Sequence, residues 1–170
     1  DVYKRQDIGV PPSGAMDNFA FRIGNRILGN PLEAPGIEFT LRGGSYKFRN
    51  DMVICLTGAD MSAKLDGQSI PMYEPVSVTF GQVLTLGKAV TGMRAYLLVE
   101  GGLDVPKTLG SASTFALGGF GGHGGRTLCT GDLIHVGKQE VHNFHPIKKE
   151  SISKYQGTWE IGVIPGPHCT

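Results

Sequence analysis

The sequence predicts a mainly β domain, and three observations carry that prediction. From Gly36 onward apolar residues recur with a period of two, the period of a strand. The strands so marked are short and separated by turn signals, at the spacing of an all-β barrel or sandwich. Before Gly36 there is one stretch of helical periodicity, and no second long helix follows it. With 170 residues, 40% of them hydrophobic, the chain can bury an ordinary core as one domain.

Gly9-Val-Pro-Pro-Ser-Gly-Ala-Met-Asp17 comes first, and its paired prolines give a rigid, extended entry into a turn. Phe19, Ala20, Ile23, Ile27 and Leu28 then recur at three- and four-residue steps, as in an amphipathic helix. Ser13 or Asp17 is its candidate N-cap and Gly29-Asn30-Pro31 its stop, with Arg22 and Arg26 on the outer face. The helix is expected to cover the strands through Phe19, Ile23 and Ile27.

Strands are expected at 38–41, 45–48 and 52–57, the last apolar on both faces and therefore central. It ends at Thr57-Gly58-Ala59-Asp60, where a strand can aim a carboxylate into a cleft; the competing reading is an Asx-turn closed by Asp60. Asp66-Gly67, between short strands at 62–65 and 68–70, is a strong hairpin signal. Strands at 76–80, 83–86 and 93–100 continue the run, which Gly101-Gly102 breaks. Residues 109–115 lead into a glycine-rich loop, and 131–136 closes the unit as a strand. Residues 137–156 are polar and without period and read as a linker. Thr158-Trp-Glu-Ile-Gly-Val-Ile164 reads as a new strand belonging to a second unit. The chain is expected to be a fragment, since it opens without Met on an aperiodic stretch and stops in what reads as a loop.

Function is sought first in Leu117-Gly118-Gly119-Phe120-Gly121-Gly122-His123-Gly124-Gly125-Arg126, from which no core could be built. Glycine adopts positive φ without steric cost, so such a run lets backbone N–H groups crowd a ligand while His123 and Arg126 supply side-chain chemistry. Gly118, Gly119, Gly121 and Gly122 are the candidate binding glycines. The alternative is a wide glycine-rich turn with no ligand. Residues 119–124 match G-x-G-x-x-G, but no helix pattern follows, which rejects a dinucleotide fold; no Gly-Lys-Ser/Thr follows either, which rejects a phosphate loop of the Walker type.

Composition excludes other classes. The formal net charge of +1, without a Lys/Arg-rich run, argues against nucleic acid. No apolar run approaches the roughly 20 residues needed to span a bilayer and no signal peptide opens the chain, so a cytoplasmic, membrane-free protein is expected. Cys55, Cys129 and Cys169 are unpatterned, and the five histidines have no zinc spacing, so no metal is expected.

Taken together and in order, Gly9 to Asp17, Leu56-Thr-Gly-Ala-Asp60, Arg94-Ala-Tyr96, Gly101-Gly102-Leu-Asp-Val-Pro106, Ser113-Thr-Phe115 and the glycine-rich run resemble one family. It is the carboxyltransferase domain of urea carboxylase and urea amidolyase, a family that includes the bacterial 5-oxoprolinase component also called allophanate hydrolase subunit 2. The resemblance covers 8–136 and resumes at Trp159-Glu-Ile-Gly-Val163 and Gly166-Pro-His168.

It implies a cyclophilin-like β-barrel over 8–136, lacking its N-terminal strand, and the start of a second, truncated barrel over 157–170. It also implies carboxyl transfer from carboxybiotin to urea, giving allophanate. Biotin would be delivered by another domain and ATP used in a separate domain or subunit; biotin carboxylase and biotin carrier domains, or a partner carboxyltransferase subunit, would be the partners. The 5-oxoprolinase branch implies ATP-dependent opening of a lactam ring instead, and a non-catalytic regulatory module on the same fold is a third possibility. Within the first reading, the glycine N–H groups and Arg126 suit the carboxylate, and His123 or Asp60 suits the acceptor's proton. Ser13 and Asp17 could hydrogen-bond a small amide; for these two, helix capping alone is the alternative.

Overall fold

A computed structural model describes residues 13–138 and 143–164. In chain order they form a helix α1 (Asn18–Ile27) and ten strands: β1 (Ile37–Thr40), β2 (Ser45–Lys47), β3 (Met52–Asp60), β4 (Lys64–Leu65), β5 (Gln68–Ser69), β6 (Val76–Val78), β7 (Val83–Thr85), β8 (Thr91–Val99), β9 (Leu103–Asp104) and β10 (His135–Val136). A single 3₁₀ turn lies at Lys149–Ser151. Two antiparallel four-stranded sheets, ordered β1-β8-β3-β6 and β2-β7-β4-β5, share one core, and β9 and β10 pair beside them. The mainly β architecture with one long helix is therefore the one the sequence predicts.

The central strands β3 and β8 are buried on both faces, as the unbroken apolar run 52–57 requires. Ile54, Leu56, Ala95, Leu97 and Val99 enter the core between the sheets together with Phe39, Leu84 and Leu86. The alternate residues Cys55, Tyr96 and Leu98 face outward, under α1. Asp66 and Gly67, at φ 48° and 85°, make the expected tight hairpin between β4 and β5.

Helix α1 forms where the periodicity places it, with Ile27 buried as expected, but the buried face is rotated away from Phe19. Ala20, Gly24, Ile27 and Leu28 are buried, whereas Phe19, expected inward, is 54% exposed and Ile23 only half-buried. The reason is close approach: a Cβ on Gly24 would stand 2.7 Å from Leu98 Cδ2 and 3.0 Å from Thr57 Cγ2. Small residues let the helix settle onto β3 and β8, and the bulky Phe19 is turned out. Phe21 packs edge-on against Tyr96, with ring centroids 5.6 Å apart.

The Asp17 carboxylate caps the helix through the Ala20 N–H at 3.0 Å. At the other end Gly29 (φ 73°) turns the chain; its N–H donates to Arg26 O, and that of Asn30 to Asn25 O, a Schellman closure. The buried amides of Asn25 and Asn30 bond each other and the carbonyls of Ala34 and Val99, which ties the helix end to the end of β8.

The stretch expected to be a linker is instead a strap. The His145 N–H donates to the carbonyl of Ile27, an otherwise open helix-end acceptor, at 2.9 Å. Ile147 and Ile152 pack against the cluster under α1, and the Tyr155 hydroxyl donates to Asp17 at 2.6 Å. Two apolar anchors and two hydrogen bonds hold a stretch whose regular structure, among the described residues, is the single 3₁₀ turn at Lys149–Ser151. Trp159, Ile161, Val163 and Ile164 are exposed and unpaired, so the strand expected at 158–164 is not formed among the described residues. A strand needs a neighbour for its backbone, and none lies beside it.

Candidate functional site

The glycine-rich loop folds on itself. Phe115 and Phe120 bridge antiparallel with their rings 5.3 Å apart, and Gly118 fits only because a Cβ there would strike both. A Cβ on Gly121 would overlap the Ser113 carbonyl, on Gly122 the Thr114 hydroxyl, and on Gly125 the Gly119 carbonyl, and all three glycines have positive φ. These glycines are thus required by the turn itself. Gly119 and Gly124, also at positive φ, face open space. Among the described residues, no hydrogen bond takes up the N–H groups of Gly121, Gly122, His123 and Gly124. A row of successive free N–H groups attracts an anion.

Beside this row stands Asp132, which the sequence places at the start of the closing strand 131–136 and outside the candidate site residues. Its carboxylate receives both terminal nitrogens of Arg126 at 2.7 Å each and the Cys129 N–H at 2.7 Å. His123 Nε2 lies 3.8 Å from the same group. Arg126, read from the sequence as a donor to a carboxylate ligand, is here engaged in a forked ion pair with Asp132. Nη1 also donates to Thr127 O at 2.8 Å, so that among the described residues the Arg126 Nε–H and one Nη2 hydrogen are left without a partner.

The Arg126 guanidinium, with the Cys129 N–H, holds the Asp132 carboxyl well below the usual carboxylate range; Asp132 raises Arg126 in return. A carboxyl whose folded pKa is depressed contributes stability above its unfolded value and loses it only as pH falls through the folded value. The clamp is therefore expected to survive acidification past the ordinary value of 3.8. A carboxyl-carbon NMR titration of Asp132 checks this, and a midpoint at or above that value contradicts it.

The other predicted residues are placed as follows. Asp60, at the exposed end of β3, closes an Asx-turn by accepting the Ser62 N–H at 2.8 Å. Asp17 caps α1 with one carboxylate oxygen and takes the Tyr155 hydroxyl with the other. Ser13 is exposed. Among the described residues, no hydrogen bond or ion pair joins the glycine-rich loop to Ser13, Asp17 or Asp60. A cavity of about 270 Å³ lies between the strap and the 72–74 turn, lined in part by Tyr73, Ile147 and Ile152, and none of the predicted site residues lines it.

What does join the loop before α1 to the end of β3 is a set of tyrosines that the sequence did not single out. The Gly58 N–H donates to the Tyr73 hydroxyl at 2.9 Å, at the irregularity in the β3–β8 pairing. Tyr73 stands against Tyr155, whose hydroxyl binds Asp17, and the Asp17 N–H donates to the Tyr96 hydroxyl at 2.7 Å. On β1 and β8, the register pairs Glu38 with Tyr96 and Thr40 with Arg94. Arg94 reaches Glu38 at 2.9 Å and also Thr40, while the Met16 N–H donates to the other Glu38 oxygen. Burial first, and then the neighbouring Asp17 and Tyr73, raise the Tyr155 hydroxyl above its usual pKa; Tyr96 is raised likewise by burial and Glu38. The visible signal was the Arg94-x-Tyr96 spacing, which puts both side chains on one face of a strand.

Cys55 is buried under α1, and burial pushes its thiol up to about 12, so it packs as a small hydrophobe and is no nucleophile. Cys129 is exposed. Among the described residues, no His, Cys, Asp and Glu group could hold a metal ion, and no helix is long and apolar enough to cross a membrane.

Comparison with known proteins agrees with this architecture. The family described as "Carboxyltransferase domain, subdomain A and B" matches residues 8–170. The chain is 46% identical over 168 residues to urea amidolyase of Saccharomyces cerevisiae, covering 95% of this chain and 9% of that protein. To a 5-oxoprolinase subunit of Escherichia coli it is 36% identical over 159 residues, covering 94% of this chain and 50% of that protein. Among solved structures, urea carboxylase of Kluyveromyces lactis superposes with a TM-score of 0.84 at 40% identity, over 94% of this chain and 15% of that one. The chain thus spans a small part of the urea-metabolising relatives and about half of the oxoprolinase relative. A match over nearly the whole chain, on a fold reached independently from its residues, establishes that this protein belongs to the carboxyltransferase family of subdomains A and B.

Proposed function

We propose that this domain carries out the carboxyl-transfer half of a biotin-dependent reaction, passing a carboxyl group to an amide nitrogen, with urea as acceptor and allophanate as product. The observation that carries this reading is the row of unpaired N–H groups at 121–124, set beside His123 and an Arg126 whose direction Asp132 fixes. That donor set suits an anionic carboxylate, which is what the family's biotin cofactor presents; when bound, carboxybiotin supplies the activated carboxyl group.

The chain's own residues then have separable tasks. The N–H groups and the remaining Arg126 donors hold carboxylate oxygens as charge develops on them. His123, whose imidazole can take up a proton at its free nitrogen, accepts the proton of the acceptor nitrogen. Asp60 retains one carboxylate oxygen outside its Asx-turn, and Ser13 an exposed hydroxyl, for the N–H groups and carbonyl of a small amide. Asp17, with both oxygens engaged, is better suited to shaping the loop than to direct contact. Biotin carboxylation by ATP belongs to separate biotin carboxylase and carrier domains, and 157–164, with alternate apolar residues exposed, is read as the start of a second barrel.

Urea is preferred because the urea amidolyase relative is 46% identical, against 36% for the oxoprolinase relative. The second reading, part of an ATP-dependent lactamase, is favoured by the larger share of the oxoprolinase relative that the chain spans, 50%. A complete enzyme carrying this domain, given ATP and bicarbonate, is expected to form allophanate from urea in a biotin-dependent manner. Turnover of 5-oxoproline with none of urea overturns the proposal.

A further inference from the structure

We infer that Tyr155, on the strap that follows the β domain, is a positioning residue that sets the acceptor side of the site by latching the loop before α1 to the end of β3. The inference rests on the acceptor side being built from those two segments, as proposed above.

Three contacts carry it. The Tyr155 hydroxyl donates to the Asp17 carboxylate at 2.6 Å, across 138 residues of sequence. The Tyr155 ring lies against Gly92, where a Cβ would stand 3.1 Å from Tyr155 Cγ and 3.0 Å from Ala59 Cβ. Tyr73, which stands against Tyr155, accepts the Gly58 N–H at 2.9 Å. One side chain therefore touches the capping residue of the helix, the partner of the β3 backbone, and the strand pair where β3 carries its irregular register just before Asp60.

The latch does more than cover apolar surface. Asp17 already satisfies the helix through Ala20, so its second oxygen is not needed for capping. The Asp17 N–H is held in turn by the Tyr96 hydroxyl at 2.7 Å, and the Met16 N–H by Glu38 at 2.9 Å. The loop is thus fixed by three hydrogen bonds at Met16 and Asp17, of which, among the described residues, the Tyr155 contact is the one that reaches outside the sheet. Apolar cover comes from Ile147 and Ile152 and does not require a hydroxyl. A hydroxyl aimed at a carboxylate is a directional device, and displacing a substrate-orienting loop by about 1 Å can cost as much as 10²-fold in rate.

The test is Tyr155→Phe in a complete enzyme carrying this domain, with Asp17→Asn and the double variant. Asn caps a helix as well as Asp does, so α1 is retained. Tyr155→Phe is expected to raise the KM for urea about tenfold, the loss of one charge-assisted hydrogen bond, with kcat changed less than about twofold. ATP-dependent carboxylation of biotin is expected to be unchanged. The two substitutions are expected to be non-additive, because they break the same contact.

Hydrogen exchange gives a readout free of any substrate. The Asp17 and Gly58 amides are expected to exchange about tenfold faster in Tyr155→Phe, while the His145 amide, which reports the strap itself, is unmoved. Faster exchange at Asp17 and Gly58 with KM unchanged overturns the positioning role, and unchanged exchange overturns the latch. If wild-type enzyme fails to turn over urea, the functional reading has failed separately; the same KM comparison is then made with 5-oxoproline, and an unchanged KM there overturns the inference.

Discussion

Arg126→Ala is expected to lower carboxyl transfer to urea about 10²–10³-fold while ATP-dependent carboxylation of biotin proceeds at the wild-type rate. Two effects act together. On the proposed mechanism the guanidinium donors to the developing negative charge are removed, and this is the usual magnitude for a lost stabilising donor. Asp132, deprived of the two bonds of 2.7 Å that neutralise it, keeps only the Cys129 N–H and is left as an unneutralised carboxylate beside the proposed anion site. Arg126→Lys separates the effects, since lysine restores the charge but not the planar fork. The measurement is allophanate formation against bicarbonate-dependent ATP cleavage in the same preparation. An Arg126→Ala enzyme that folds normally and carboxylates urea at full rate removes Arg126 from the site.

Gly58→Val is expected to cost the domain about 2–6 kcal/mol, from forcing a β-branched residue into positive φ and from overpacking. Gly58 sits at φ 86° in the middle of the most buried strand, and a Cβ there would collide with the Arg94 carbonyl on β8. Neither side can yield cheaply, because both are backbone in central strands. A loss of that size is a large fraction of the roughly 5–15 kcal/mol that holds a typical domain together. Denaturant unfolding monitored by circular dichroism gives the difference directly, and a midpoint equal to that of the wild type shows that the strand irregularity tolerates a side chain. Because the Gly58 N–H also binds Tyr73, a variant that does fold should perturb the tyrosine cluster before it perturbs the glycine-rich loop.

Much of this was legible in the residues. Period two marked most of the strands, and Asp66-Gly67 and the Gly29 stop marked their turns, because these signals are local and short-range sterics decide them. The existence of α1 was equally plain, but its buried face was not. Hydrophobicity alone favours Phe19 inside, whereas the distance of approach at Gly24 selects Ala20 and Gly24. The strap escaped notice because Ile147, Ile152 and Tyr155 are spaced by five and three residues, which matches neither period. Within the site, the glycines, His123 and Arg126 stood out by type, yet Asp132 did not, since 131–136 reads as a closing strand and a single carboxylate at its start carries no signal of a partner six residues back. For Asp17 and Asp60 the ordinary capping and turn roles are the ones observed, and a functional role for either lies on top of them.

The Tyr155–Asp17 contact spans 138 residues, and that separation has a consequence for how the polypeptide is made. At about 5–20 residues per second, roughly 7–28 s pass between the synthesis of the helix cap and that of its partner. Throughout that interval α1 can lie on β3 only once β3 and β8 have themselves emerged, and even then without its cover. The nascent chain therefore carries an open apolar seam along Ile27, Leu28 and Leu98 until the strap arrives. Contacts of such long range also slow folding relative to locally wired domains of equal size. Until then, those apolar residues are where the elongating chain is most open to off-path association.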